Sequence, residues 1–76
     1  RVFPNPATEW VAIEVEHNRH FAGTLTVRNA LGQTVYENQR YDGAAIIHTS
    51  ALPSGMYVYY IQSKNNTWSG TFAVRR

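Results

Sequence analysis

A chain of 76 residues is one small domain, and at this size folding buries only roughly 60–65% of the unfolded surface, which leaves a narrow stability margin. A hydrophobic share of 43%, with two tryptophans, five tyrosines and three phenylalanines, suffices for a packed core and excludes global disorder, and the absence of cysteine excludes disulfides and thiolate metal sites. The net charge of +2 comes from basic residues scattered over Arg1, Arg19, Arg28, Arg40, Lys64, Arg75 and Arg76, unlike the clustered patch of a nucleic-acid binder, and no apolar run approaches the roughly 18–20 residues of a membrane-spanning helix.

The chain opens on Arg1 without a starting methionine or signal peptide, so it is expected to be a piece of a longer protein, with residues 1–76 as one undivided unit. Arg1 to Phe3 read as a short lead-in strand. In T-E-W-V-A-I-E-V-E, Val11, Ile13 and Val15 alternate with Trp10, Ala12, Glu14 and Glu16, the period of a half-buried strand. H-N-R-H-F-A-G is a polar connection. G-T-L-T-V-R-N repeats the alternation with Leu25 and Val27 inward, and Ala30-Leu31-Gly32-Gln33 is a hairpin turn into T-V-Y-E-N, Gly32 supplying positive φ. Asn38 to Gly43 are expected to break the chain.

A-A-I-I-H-T-S is a fifth strand with Ile47 and Thr49 in phase. M-Y-V-Y-Y-I-Q is a sixth with Tyr57, Tyr59 and Ile61 on one face. Lys64-Asn65-Asn66 form a tight hairpin, and Trp68, Phe72 and Val74 share a phase in the last strand. Apolar residues at i, i+3, i+4, i+7 are missing throughout. Short alternating strands with regular turns predict an all-β fold, a small immunoglobulin-like antiparallel β-sandwich of about seven strands.

Two turn-rich phrases bracket the domain. In Leu52-Pro53-Ser54-Gly55, Pro53 fixes φ and Gly55 opens a conformation closed to other residues, so one corner is held at little entropic cost. Tyr57, two residues on, is similar to the tyrosine corner of immunoglobulin-like sandwiches, whose phenol donates back to the preceding connection. At the other end, Pro4 and Pro6 cannot donate to a ladder, and Asn5 between them is expected to set the turn with a local side-chain hydrogen bond.

Residues that carry chemistry elsewhere read as structural here. His17, His20 and His48 lack a supporting carboxylate cluster for zinc. Ser50 and Ser54 stand in turns with no base beside them, and Glu14 and Glu16 share one exposed strand face, so no catalytic site, metal or cofactor is expected. Asn65-Asn66-Thr67 is a sequon best read as a turn. Trp10, Tyr36, Tyr41 and Tyr60 are expected on an aromatic outer surface.

The order of phrases says more than any one of them. F-P-N-P-A-T-E-W-V-A-I-E-V, then L-T-V-R-N-A-L-G-Q-T-V-Y-E, then L-P-S-G-M-Y-V-Y-Y-I and T-F-A-V-R-R, resembles the C-terminal sorting domain of the type IX (Por) secretion system over essentially the whole chain. The resemblance implies a non-enzymatic signal that routes an upstream cargo domain from the periplasm across the outer membrane to the cell surface or beyond. It implies engagement of an outer-membrane translocon and its shuttle proteins, and removal by a cysteine-protease sortase that anchors or releases the cargo. By the same resemblance the recognition motif comprises Pro4, Asn5 and Pro6; Gly32; Leu52, Pro53, Gly55 and Tyr57; and Phe72, Val74, Arg75 and Arg76. Many relatives carry lysine where this chain has Thr71, so if docking needs that lysine, recognition is expected to be weaker here or to fall to Arg75 and Arg76.

A terminal strand left at a sheet edge would offer backbone donors and acceptors to a partner strand, or to a second copy as a homodimer. The competing reading is an immunoglobulin-like carbohydrate-binding or adhesive module. It accounts for the sandwich and the aromatics but not for the C-terminal placement of the motifs.

Overall fold

A computed structural model of the chain describes residues 1–15 and 21–75, and the described residues form seven β-strands and no helix. These are β1 (Val2–Phe3), β2 (Trp10–Glu14), β3 (Gly23–Asn29), β4 (Thr34–Tyr41), β5 (Ala44–His48), β6 (Gly55–Ser63) and β7 (Thr67–Val74). They pair antiparallel into a three-stranded sheet, β1-β2-β5, and a four-stranded sheet, β4-β3-β6-β7. The expected seven-strand sandwich is what forms.

Period-two alternation builds the core. Val11, Ile13 and Ile47 from the smaller sheet meet Leu25, Val27, Tyr57, Ile61, Phe72 and Val74 from the larger, all at most 4% exposed. Each such side chain contributes about 1.5–3 kcal/mol by leaving water. Thr49, in phase with Ile47, is fully buried just beyond β5; its hydroxyl donates to Thr8 O at 3.2 Å. Ala12, expected on the outward face of β2, is buried as well. It lies in the central strand of the smaller sheet, between Phe3 and Ile46, which are large enough to cover its methyl.

The turns fall where their chemistry places them. Gly32 sits at φ 87°, and Asn29 Oδ1 accepts from the Leu31 and Gln33 amides, closing the β3–β4 hairpin. Ser63 N donates to Asn66 O across the β6–β7 turn.

Asn38 to Gly43 do not break the chain at Asn38. β4 continues through Asn38, Gln39 and Arg40 to Tyr41, with a register irregularity against β3 near its end, and Arg40 N donates to Asn38 Oδ1. What carries the strand onward is Tyr41. Its ring is 1% exposed and its hydroxyl donates to Ile13 O at 2.7 Å, so the large aromatic burial outweighs the weak strand preference of its polar neighbours. Tyr41 therefore belongs to the core and not to an outer aromatic surface. The remaining break is Asp42-Gly43, where Asp42 Oδ1 accepts from the Ala44 amide.

Candidate functional site

Strand register places the turn-rich phrases together. Asn29 pairs with Tyr57 and Tyr57 with Phe72, so the β3–β4 turn, the start of β6 and the end of β7 share one end of the sandwich. Trp10 pairs with His48 at the same end, which brings the 4–9 and 49–54 connections there too. Arg1 lies at the opposite end, its backbone paired with Glu14. The long dimension of the domain is 36 Å.

At the motif end, Leu52-Pro53-Ser54-Gly55 forms the corner that its composition predicts. The Tyr57 hydroxyl donates to Pro53 O at 2.6 Å, closing the tyrosine corner. Gly55 at φ 154° occupies backbone space that a side chain would strain. The Tyr57 ring is 3% exposed and stacks on Phe72, centroids 5.6 Å apart and planes at 16°. Phe72 and Val74 are buried, Leu52 packs partly buried against the core, and Pro53 is exposed.

Asn5 works differently from the expectation. Its side chain makes no local turn bond; Oδ1 accepts from the Ala73 amide at 3.0 Å, 68 residues away. Ala7 completes the contact: its amide donates to Ala73 O at 2.7 Å, and its carbonyl accepts from Arg75 N at 2.8 Å. This short parallel bridge, Ala7 to Val74, clasps the entry segment onto the last strand. The local bond gives way because Ala73 N lies on the free edge of β7 and needs an acceptor, which Asn5 supplies. Pro4 and Pro6 flank Asn5 and are exposed, each preceded by a cis peptide bond.

Ala7 and Ala73 carry the clasp, and sequence reading missed both. Ala7 is fully buried and too small to show in a hydrophobic period; only its place directly after P-N-P marks it. Arg75 is exposed although its amide closes the clasp, and Thr71 is exposed on β7, while Arg76 lies outside the described residues. The structure thus brings Asn5, Gly32, the 52–57 corner and residues 72–75 to one end.

Other candidate groups do not assemble. His17, His20 and Glu16 fall outside the described residues, and His48 is exposed on β5. Ser50 and Ser54 are exposed in the β5–β6 connection. The aromatic platform is dispersed: Trp10 is 40% exposed on the smaller sheet, Tyr60 is 38% exposed on the larger, and Tyr36 packs partly against the core.

Chemically, among the described residues, the end offers shape and the exposed guanidinium of Arg75. Its groups hold backbone to backbone, and the hydroxyl of Tyr57 is engaged at the corner.

A family model described as the secretion system C-terminal sorting domain matches residues 1–75. No curated protein matches the chain at a significant level.

Proposed function

The chain belongs to the secretion system C-terminal sorting domains, and on that premise we propose how its two ends divide the work. It is a C-terminal sorting signal of type IX secretion, which implies export to the cell surface or the extracellular space and contact with the secretion machinery and an upstream cargo. In our reading, residues 1–76 are the tail of a longer cargo protein that crosses the periplasm. The motif end is presented to the outer-membrane translocon and its shuttle proteins. A cysteine-protease sortase then cuts upstream of, or close to, Arg1, and the cargo is anchored at the surface or released. The domain itself performs no reaction.

The observation that carries this reading is the convergence of the motif residues at the end of the sandwich away from Arg1. A signal read there stays clear of whatever precedes Arg1. Pro4, Asn5 and Pro6 keep the entry segment on β7; Gly32, Leu52, Pro53, Gly55 and Tyr57 hold the two turns beside it; Phe72 and Val74 fix the last strand in the core. Arg75 and Arg76 supply positive charge that steers the end toward an acidic surface.

A fluorescent reporter fused ahead of Arg1, expressed in bacteria that possess the type IX machinery, tests it. The reporter is expected on the cell surface or in the medium; retention inside the cell refutes the reading. Removing the last five residues is expected to leave the reporter in the periplasm, but that truncation also takes Phe72 and Val74 out of the core. Arg75→Ala together with Arg76→Ala keeps the core and isolates the charge.

A further inference from the structure

The clasp closes only part of the β7 edge. In an antiparallel ladder, alternate residues direct both backbone groups to the same neighbour. Ala73 and Arg75 direct theirs outward to Asn5 and Ala7, and the β6–β7 register runs without a shift from Val74 back to Thr67. Thr71, Ser69 and Thr67 therefore also direct N–H and C=O outward, and among the described residues nothing bonds to them there.

Proteins guard such edges with charge or proline. The β4 edge carries Glu37 and Arg40, whereas Thr67-Trp68-Ser69-Gly70-Thr71 has neither charge nor proline. The open stretch also borders a cleft between the two sheets, lined by Arg1, Glu14, Val15, Tyr59, Ile61 and Trp68. Tyr59 lies across Gly70: a Cβ built there would be 2.5 Å from the Tyr59 hydroxyl oxygen, so only glycine lets the phenol reach over the strand. Unpaired backbone beside a side-chain cleft is the arrangement that accepts an added strand.

We propose that Thr67–Thr71 is the pairing edge for an extended segment of the secretion machinery. That segment bonds to the backbone of Thr67, Ser69 and Thr71 and stops where Asn5 and Ala7 occupy the edge. Its residue opposite Gly70 faces the Tyr59 hydroxyl and enters the cleft, which fits a side chain with an apolar stem and a polar tip. A second copy fits less well. Antiparallel pairing about Ser69 would set its Trp68 opposite Gly70, where the Tyr59 ring already lies, and Trp68 is packed on Phe21 at 5.6 Å.

The inference rests on the sorting-signal reading, and the test separates the two. Ser69→Pro removes one outward N–H and no β6–β7 bond, so the chain is expected to keep its melting temperature within a few degrees. In the reporter fusion, Ser69→Pro is expected to be secreted at least tenfold less than Ser69→Ala, which keeps the N–H. Equal secretion of the two overturns the edge proposal while leaving the sorting signal intact; failure of the unmutated fusion to leave the cell overturns both.

Should Ser69→Pro fail to fold, Tyr59→Phe decides. A threefold or greater loss of secretion supports the proposal, and no loss overturns it. Amide exchange of the free chain provides a check without cells. Ser69 and Thr71 should exchange like open amides while Gly70 and Phe72 are protected; protection of Ser69 would show the edge already covered and overturn the proposal. A dimer in sedimentation that Ser69→Pro abolishes would assign the edge to a second copy and overturn it as well.

Discussion

Tyr57→Phe removes one oxygen from the corner and leaves everything else in place. The ring stays stacked on Phe72 at 5.6 Å and stays buried, so packing is conserved. What disappears is the 2.6 Å bond from the hydroxyl to Pro53 O. A neutral hydrogen bond contributes about 0.5–1.5 kcal/mol net. The orphaned acceptor belongs to an exposed proline, so water replaces the phenol and the cost settles near ~1 kcal/mol. Unfolding entropy of ~2.1 cal/mol/K per residue amounts to roughly 160 cal/mol/K for this chain, which converts that cost to a melting point lower by about 6 °C. Circular dichroism or calorimetry at neutral pH reads it. Pro53→Ala keeps the acceptor carbonyl but loosens the turn that aims it, so with the two residues joined by one bond the double variant should depart from additivity by about 0.5 kcal/mol or more. A Tyr57→Phe shift below about 1 °C would mean that the hydroxyl contributes nothing to the corner, and a drop beyond about 15 °C would mean that the ring had repacked.

Asn5→Ala deletes the acceptor for the Ala73 amide and is expected to lower the melting point by about 4–8 °C and to speed Ala73 exchange selectively; unchanged exchange would show that Ala7 alone holds the clasp. Phe72→Ala opens the centre of the core at a cost of about 3–5 kcal/mol, comparable with the whole stability of a small domain, and should abolish cooperative melting. Tyr41 titrates late: burial first, then the charges of Glu14 and Asp42, push its phenol up to about 12. The unfolded chain ionises near ~10, so the folded state disfavours the tyrosinate, and this contribution is complete below pH ~10 and lost as pH rises toward ~12. Tyr41→Phe should flatten that fall in melting temperature; an identical alkaline profile in both chains would contradict it.

Local chemistry decided much of this protein before any tertiary contact. Alternation at Val11 and Ile13, at Leu25 and Val27, and at Tyr57 and Ile61 marked strands and their inner faces, because side chains on an extended backbone change sides at each residue. Gly32, Pro53 and Gly55 marked corners through the φ values they allow. Even the Tyr57 bond was legible, since donor and acceptor lie four residues apart. Asn5 was not: its partner is 68 residues away and is set by which strands share an edge, a property of sheet order and not of local sequence. Tyr41 was misplaced for a related reason. Its polar neighbours resemble a loop, and only the packed core, with Ile13 O in reach, makes burying it favourable. Backbone periodicity therefore determined the elements, while long-range register decided which chain ends met, which half of β7 stayed open, and where the motif residues gathered.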